Sequence, residues 1–193
     1  MRPPLHHMRI RENSSHHLYG HVRVGDDGKK RFHAGWDLAA RPMTPVYAVA
    51  DGTVRWIQFF KQVDVKGEVK GEVKGTYGRS VLLELDGNQF HGRQLFAFYA
   101  HLSHVNVGEG DHVAAGQQIA LTGITGYPFK HHGPAVPDAQ AYPFKHLKPG
   151  RDEAHLHFEF RTSGARHIDG RSPDLHIDPA MFWHPHVTNL QKR

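Results

Sequence analysis

The chain has 193 residues, enough for one domain to bury a core without covalent staples. It contains no cysteine, which excludes a thiol nucleophile, disulfides and sulfur ligation of a metal, and leaves the fold indifferent to redox compartment. A formal charge of +5, scattered along the chain instead of gathered in a stripe, argues against a nucleic-acid binder.

Residues 1–28 are polar and histidine-rich, and only Tyr19–Val24 alternates like a strand. They read as an N-terminal arm packed on a domain of residues 29–182. Met1–Ile10 lacks an apolar stretch of signal-peptide length and no segment reads as a membrane span. The expectation is therefore either a mature product or export by a route that needs no such signal. Next comes Phe32-His33-Ala34-Gly35-Trp36-Asp37, in which strand periodicity puts His33, Gly35 and Asp37 on one face. The missing side chain at Gly35 is expected to leave room for an ion between His33 and Asp37.

From Pro45 onward the pattern is short β segments with glycine-containing turns. Val46–Ala50 and Thr53–Ile57 flank Asp51-Gly52. Ser80–Leu85 and Gln94–Ala100 flank Asp86-Gly87-Asn88. After a glycine-punctuated stretch from Val107, Ile119–Thr122 reads as a further strand. No amphipathic helix of three turns is evident. The fold class is all-β, with antiparallel sheets.

Two insertions interrupt the plan, at about residues 61–77 and 126–153. The first holds a charged four-residue repeat, Val65-Lys66-Gly67-Glu68, Val69-Lys70-Gly71-Glu72 and Val73-Lys74-Gly75-Thr76, and reads as a solvated hairpin or loop. The second repeats Tyr127-Pro128-Phe129-Lys130-His131 as Tyr142-Pro143-Phe144-Lys145-His146 and leads into His155, where it would border the metal and shape a groove. A tail of residues 183–193 closes the chain.

In Ala154-His155-Leu156-His157-Phe158-Glu159-Phe160, alternation puts two imidazoles on one face and Leu156, Phe158 and Phe160 on the other, in a core. With 19 histidines, roughly two His-x-His pairs arise by chance, so spacing alone is weak evidence. A second pair, His184-Pro185-His186, sits in the polar tail and lacks the alternating apolar setting and the carboxylate partner that single out His155 and His157. Glu159 shares their face and can bond to a ligand from outside. His91, His104 and His112 fall at or near turns and read as surface or outer residues. Trp36 and Phe158 read as core. Tyr19 and Tyr127 are candidates for an oxyanion donor.

The chain is similar to the lysostaphin-type zinc endopeptidases, the LytM-domain family of peptidoglycan hydrolases. The resemblance rests on five blocks in the family's order: His33–Asp37, Pro45–Val54, Tyr99-Ala100-His101-Leu102-Ser103, Gly110–Ile119 and His155–Phe160. The two insertions depart from it, as does Arg151-Asp152-Glu153-Ala154, which replaces a small glycine-rich stretch. The resemblance implies antiparallel sheets in a barrel-sandwich hybrid (duplicated hybrid motif), one Zn2+ held by His33, Asp37 and His157, and His101 and His155 as an unliganded catalytic pair. A catalytic zinc takes three protein ligands and an open position, so two of the five candidates must stay off the metal.

The activity implied is metal-assisted hydrolysis of peptide cross-links in peptidoglycan, by a monomer acting in the periplasm or extracellular wall. The choice between a D-Ala cross-link and a glycine bridge rests with the inserted loops. If the chain is an antibacterial effector delivered by contact-dependent secretion, an immunity protein is its expected partner. The alternative is a non-catalytic LytM-fold module that binds or regulates the cell wall. A histidine-rich metal buffer would instead hold several ions loosely, and a zinc carboxypeptidase would space its first His and Asp further apart.

Overall fold

The computed structural model describes residues 1–25, 27–58, 77–123, 154–165 and 173–183. Most of both insertions, and all of the tail beyond Trp183, lie outside the described residues. Twelve strands are defined: β1 (Gly20–Val24), β2 (Lys30–His33), β3 (Trp36–Ala39), β4 (Pro45–Tyr47), β5 (Gly52–Gln58), β6 (Ser80–Phe90), β7 (Arg93–Ala100), β8 (Leu102–Val105), β9 (His112–Val113), β10 (Gln118–Thr122), β11 (His155–Arg161) and β12 (His176–Ile177). The described residues contain a single α-helix, α1 (Ala180–Trp183).

The all-β expectation is borne out, and every strand pair is antiparallel. The main sheet runs β12-β11-β7-β6-β5-β9, with β3 also paired to β11; β4-β10-β8 and β1-β2 form two smaller sheets. Val46–Ala50 and Thr53–Ile57 do not make a hairpin across Asp51-Gly52, because β4 pairs with β10 while β5 pairs with β6 and β9.

The turn expected at Asp86-Gly87-Asn88 lies elsewhere. β6 continues to Phe90 with an irregularity between Glu84 and Gln89, and Gln89 pairs with Gln94 and Phe90 with Arg93. That leaves His91 and Gly92 as a two-residue loop, both at positive φ (49° and 73°), as the strand twist demands of a tight hairpin. Asp86-Gly87 carries the usual turn residues, but here Gly87, at φ 62°, accommodates the irregularity inside the strand.

Alternation sorts the central strands into two faces. Val81, Leu83 and Leu85 of β6, Leu95, Ala97 and Tyr99 of β7, and Leu156, Phe158 and Phe160 of β11 share one core with Trp36, Leu38, Val46 and Val49. Trp183 of α1 stacks on Phe158 and Phe160 and approaches Trp36. The opposite face of β6 and β7 holds a smaller cluster of Trp56, Leu82, Phe96, Phe98 and Ala100. It is on this second face that β11 presents His155, His157, Glu159 and Arg161. Full burial of β11 on both faces makes it the spine of the fold.

Residues 1–10 run along the domain's edge. Arg2 donates to the Val49 carbonyl at 2.6 Å, Tyr47 to that of Pro4 at 2.9 Å and Ala39 to that of Arg9 at 2.8 Å. Leu5 and Ile10 are buried in the main core.

Candidate metal centre

Strand register brings the centre together. β11 pairs with β3 so that His157 lies directly opposite Asp37, and with β7 so that His157 lies opposite Ala100. Directly opposed residues of an antiparallel pair hold their Cβ atoms about 5 Å apart, so the ligand pair is a consequence of pairing. His33 ends β2 and enters from the side.

His157 Nδ1 lies 2.8 Å from Asp37 Oδ1, His33 Nε2 lies 3.2 Å from the same oxygen, and the two nitrogens are 3.2 Å apart. These three buried residues form the group among the described residues that could hold a metal ion. Ligands about 2.0–2.2 Å from a tetrahedral ion stand about 3.3–3.6 Å from one another, so the three atoms converge at nearly the spacing that one ion requires. Two imidazoles and a carboxylate suit zinc chemically, and with three protein ligands a fourth position stays open.

The outer atoms of the ligands are also held. His33 Nδ1 donates to the Leu18 carbonyl at 2.7 Å, which frees Nε2 to face the centre. His157 Nε2 donates to Glu159 Oε1 at 2.7 Å, and the other carboxylate oxygen, Oε2, accepts from Arg161 Nε at 2.5 Å and lies 3.4 Å from His176 Nε2. The Arg161 guanidinium in turn lies 3.7 Å from the Phe98 ring centre. Asp37 Oδ2 accepts from Arg23 Nη2 at 2.6 Å and from His17 Nδ1 at 2.8 Å.

Charge follows from these contacts. Burial would push the Asp37 carboxyl up, but donors from His157, His17 and His33 outweigh it and hold it far below the ordinary carboxylate range. Burial likewise opposes ionised Glu159, and Arg161, His157 and His176 overcome it, so it too is held well below its usual value. Burial lowers His33. It also acts to lower His157, but the carboxylates of Asp37 and Glu159 on either side raise it. Without an ion His157 therefore bridges two anions, and a bound ion would take the place of its Nδ1 proton.

His101 joins β7 to β8 at φ 60°, a left-handed conformation that a non-glycine residue adopts only under constraint. The constraint is local: His101 N donates to the Tyr77 carbonyl and Leu102 N to that of Arg79, both at 3.0 Å. Its ring lies 4.6 Å from that of His155 and 6.1 Å from that of His157, centre to centre. His155 Nε2 stands 3.6 Å from Asp37 Oδ1, and Arg11 Nη1 stands 3.5 Å from His155 Nδ1. All five histidine and aspartate positions singled out in the sequence thus meet in one place.

Other expectations fare differently. Gly35 does not make room for an ion: a Cβ there would stand 2.1 Å from the Phe158 carbonyl oxygen, so the glycine lets the segment between β2 and β3 press against the backbone of β11. Trp36 and Phe158 are core. The Tyr19 hydroxyl donates to the His176 carbonyl at 3.0 Å, and Tyr127 lies outside the described residues. His91 and His104 are exposed, and His112 pairs with Asp86 on the surface at 2.6 Å. Glu159 occupies the outer position its strand face allows.

The sequence reading missed Arg11, His17, Arg23, Tyr77, Arg161 and His176. Arg161 carried a signal, being two residues past Glu159 on the same face. Tyr77, whose ring lies 5.0 Å from that of His157, falls at the last position of the segment that reads as the first insertion. The remaining four come from segments brought in by tertiary structure.

The sequence profile of Peptidase family M23 matches residues 31–169. An uncharacterized metalloprotease of Haemophilus influenzae is 32% identical over 145 residues, covering 75% of this chain and 20% of that protein, so the chain spans about a fifth of that relative's length. Among solved structures, LytU superposes with a TM-score of 0.54 at 24% identity, covering 94% of this chain and 88% of that one. The catalytic domain of lysostaphin, an antimicrobial peptidase of Staphylococcus simulans, gives a TM-score of 0.51 at 24% identity, covering 86% and 87%. These likenesses show a shared fold.

Proposed function

Because the chain belongs to peptidase family M23, a family of zinc metallopeptidases, we propose that it is an endopeptidase that hydrolyses peptide cross-links of bacterial peptidoglycan. In this reading His33, Asp37 and His157 hold one zinc ion, and His101 and His155 flank the reacting carbonyl. The observation that carries it is the convergence of His33 Nε2, Asp37 Oδ1 and His157 Nδ1 to within 3.2 Å of one another, beside two further imidazoles.

When bound, zinc supplies a Lewis acid for the scissile carbonyl and brings the pKa of a coordinated water towards 7. The chain's residues do the rest. Asp37 stays ionised and offsets part of the ion's charge. His33 and His157 are fixed in orientation by Leu18 and Glu159. One of His101 and His155 accepts a proton, while the other donates to the oxyanion or the departing amine, since an imidazole can serve as either base or acid. No thiol or hydroxyl nucleophile is required.

A non-catalytic wall-binding module accounts less well for this centre, because such a module has no need of the strained His101 beside His155. Peptidoglycan as substrate puts the site of action in the periplasm or the outer wall. The deciding experiment digests defined muropeptides, containing either a D-Ala cross-link or a glycine bridge, and reads the products by mass spectrometry. Cleavage of neither, by protein carrying one zinc by elemental analysis, would refute the reading.

A further inference from the structure

The outer oxygen of Asp37 is occupied from two directions by residues upstream of the family-matched region. His17 Nδ1 lies 2.8 Å and Arg23 Nη2 2.6 Å from Oδ2, whereas Oδ1 faces His33 and His157. A carboxylate oxygen has about two acceptor sites, and here both on Oδ2 are filled. Arginine has only donors, and a histidine nitrogen facing an ionised carboxylate must carry its proton, so neither partner can turn into a competing ligand while the contact stands.

The segment bearing these donors is itself fixed. Ser14 Oγ accepts from the backbone of His16 at 3.3 Å, starting the 3-10 turn Ser15–His17, and Arg23 Nε donates to the His16 carbonyl at 3.3 Å, tying the two donors together. Arg23 is placed by β1, where it pairs with Arg31 of β2, the strand that ends in His33. Leu18, between the two donors, receives His33 Nδ1.

We propose that His17 and Arg23 are positioning residues that hold Asp37 to one-atom coordination through Oδ1 and so keep the metal four-coordinate, with solvent as its fourth ligand. This rests on the metal reading of His33, Asp37 and His157. A carboxylate can bind a cation through one oxygen or two, and two-oxygen binding here would add a donor beside the solvent that a three-ligand catalytic site admits, raising the coordination number from four to five. Charge is the lesser effect, since the Arg23 side chain is 44% exposed and its field is screened. Geometry at Oδ2 carries the role.

The test uses the full chain loaded with cobalt(II) in place of zinc and compares visible spectra of the parent, R23M, H17F and the double variant. A four-coordinate cobalt site absorbs strongly in the visible and a five-coordinate one severalfold less. The parent is expected to show the strong spectrum and the double variant the weak one, with R23M and H17F between them. A double variant that takes up one cobalt with the parental spectrum overturns the proposal. Should the double variant fail to fold, parental spectra for both single variants overturn it equally. A parent that takes up no cobalt at all refutes instead the metal reading beneath.

Discussion

His157 and Glu159 sit two residues apart on one face of β11, and the imidazole Nε2 donates to the carboxylate across 2.7 Å. This contact fixes the ring with Nδ1 towards Asp37, and Arg161 and His176 keep the carboxylate charged. Replacing Glu159 by Gln keeps the shape but leaves the buried Arg161 cation without its anion. Removing one partner of a buried pair typically destabilises by about 3–5 kcal/mol, and removing an outer partner of a metal ligand weakens binding about 10- to 100-fold. Urea unfolding of the metal-free variant and chelator competition measure the two effects separately.

Metal removal should destabilise the protein. A ligand that binds only the folded state adds about 4 kcal/mol when present at a thousand times its dissociation constant. The melting temperature is therefore expected to fall on stripping with chelator and to recover with zinc, whereas D37A should melt at the same temperature with or without zinc. A D37A protein that recovers as the parent does would remove Asp37 from the ligand set.

His101 lies beside the group that could hold the ion and is not a member of it, so H101A is expected to keep one zinc per chain while losing about a hundred- to ten-thousand-fold in peptide hydrolysis. Elemental analysis alongside product release from a muropeptide reads both. Hydrolysis at the parental rate would exclude His101 from the chemistry.

At Gly35 even a methyl group meets the Phe158 carbonyl oxygen at 2.1 Å, and that carbonyl belongs to the strand carrying His157. Neither side is a flexible side chain, so G35A must push β3 and β11 apart. The expected loss is about 1–3 kcal/mol, typical of overpacking, seen as a lower urea midpoint. An unchanged midpoint would show that the two backbones are not in contact.

Tyr99 is fully buried and accepts from Val49 N at 3.1 Å; burial raises its phenol well above the ordinary value, more than the Val49 contact lowers it. The unfolded chain loses this proton near pH 10 and the folded chain only above that. The stabilisation is therefore complete below about pH 10 and is lost as pH climbs towards the folded value, at up to about 1.4 kcal/mol per pH unit. Unfolding free energies measured from pH 9 to 12 should fall less steeply in Y99F than in the parent.

The strands were legible because alternation is a local property: β5, β7, β10 and β11 were read to within a residue or two of their ends. Asp86-Gly87-Asn88 misled because glycine at positive φ serves a strand irregularity as well as a turn, and only pairing with β7 tells the two apart. That five candidate positions would come together was legible too, since ligand chemistry restricts residue type and strand periodicity fixes the face.

The sequence by itself determined an all-β chain with two imidazoles on one strand face and a histidine and an aspartate four residues apart upstream. It could not determine that His157 stands opposite Asp37, that Gly35 serves backbone contact with β11, or that His17 and Arg23 close on Asp37 Oδ2. Those depend on register and on the docking of residues far apart along the chain, which local patterning does not encode. Only the tertiary structure sets the few-ångström distances by which a carboxylate is buried, charged and aimed.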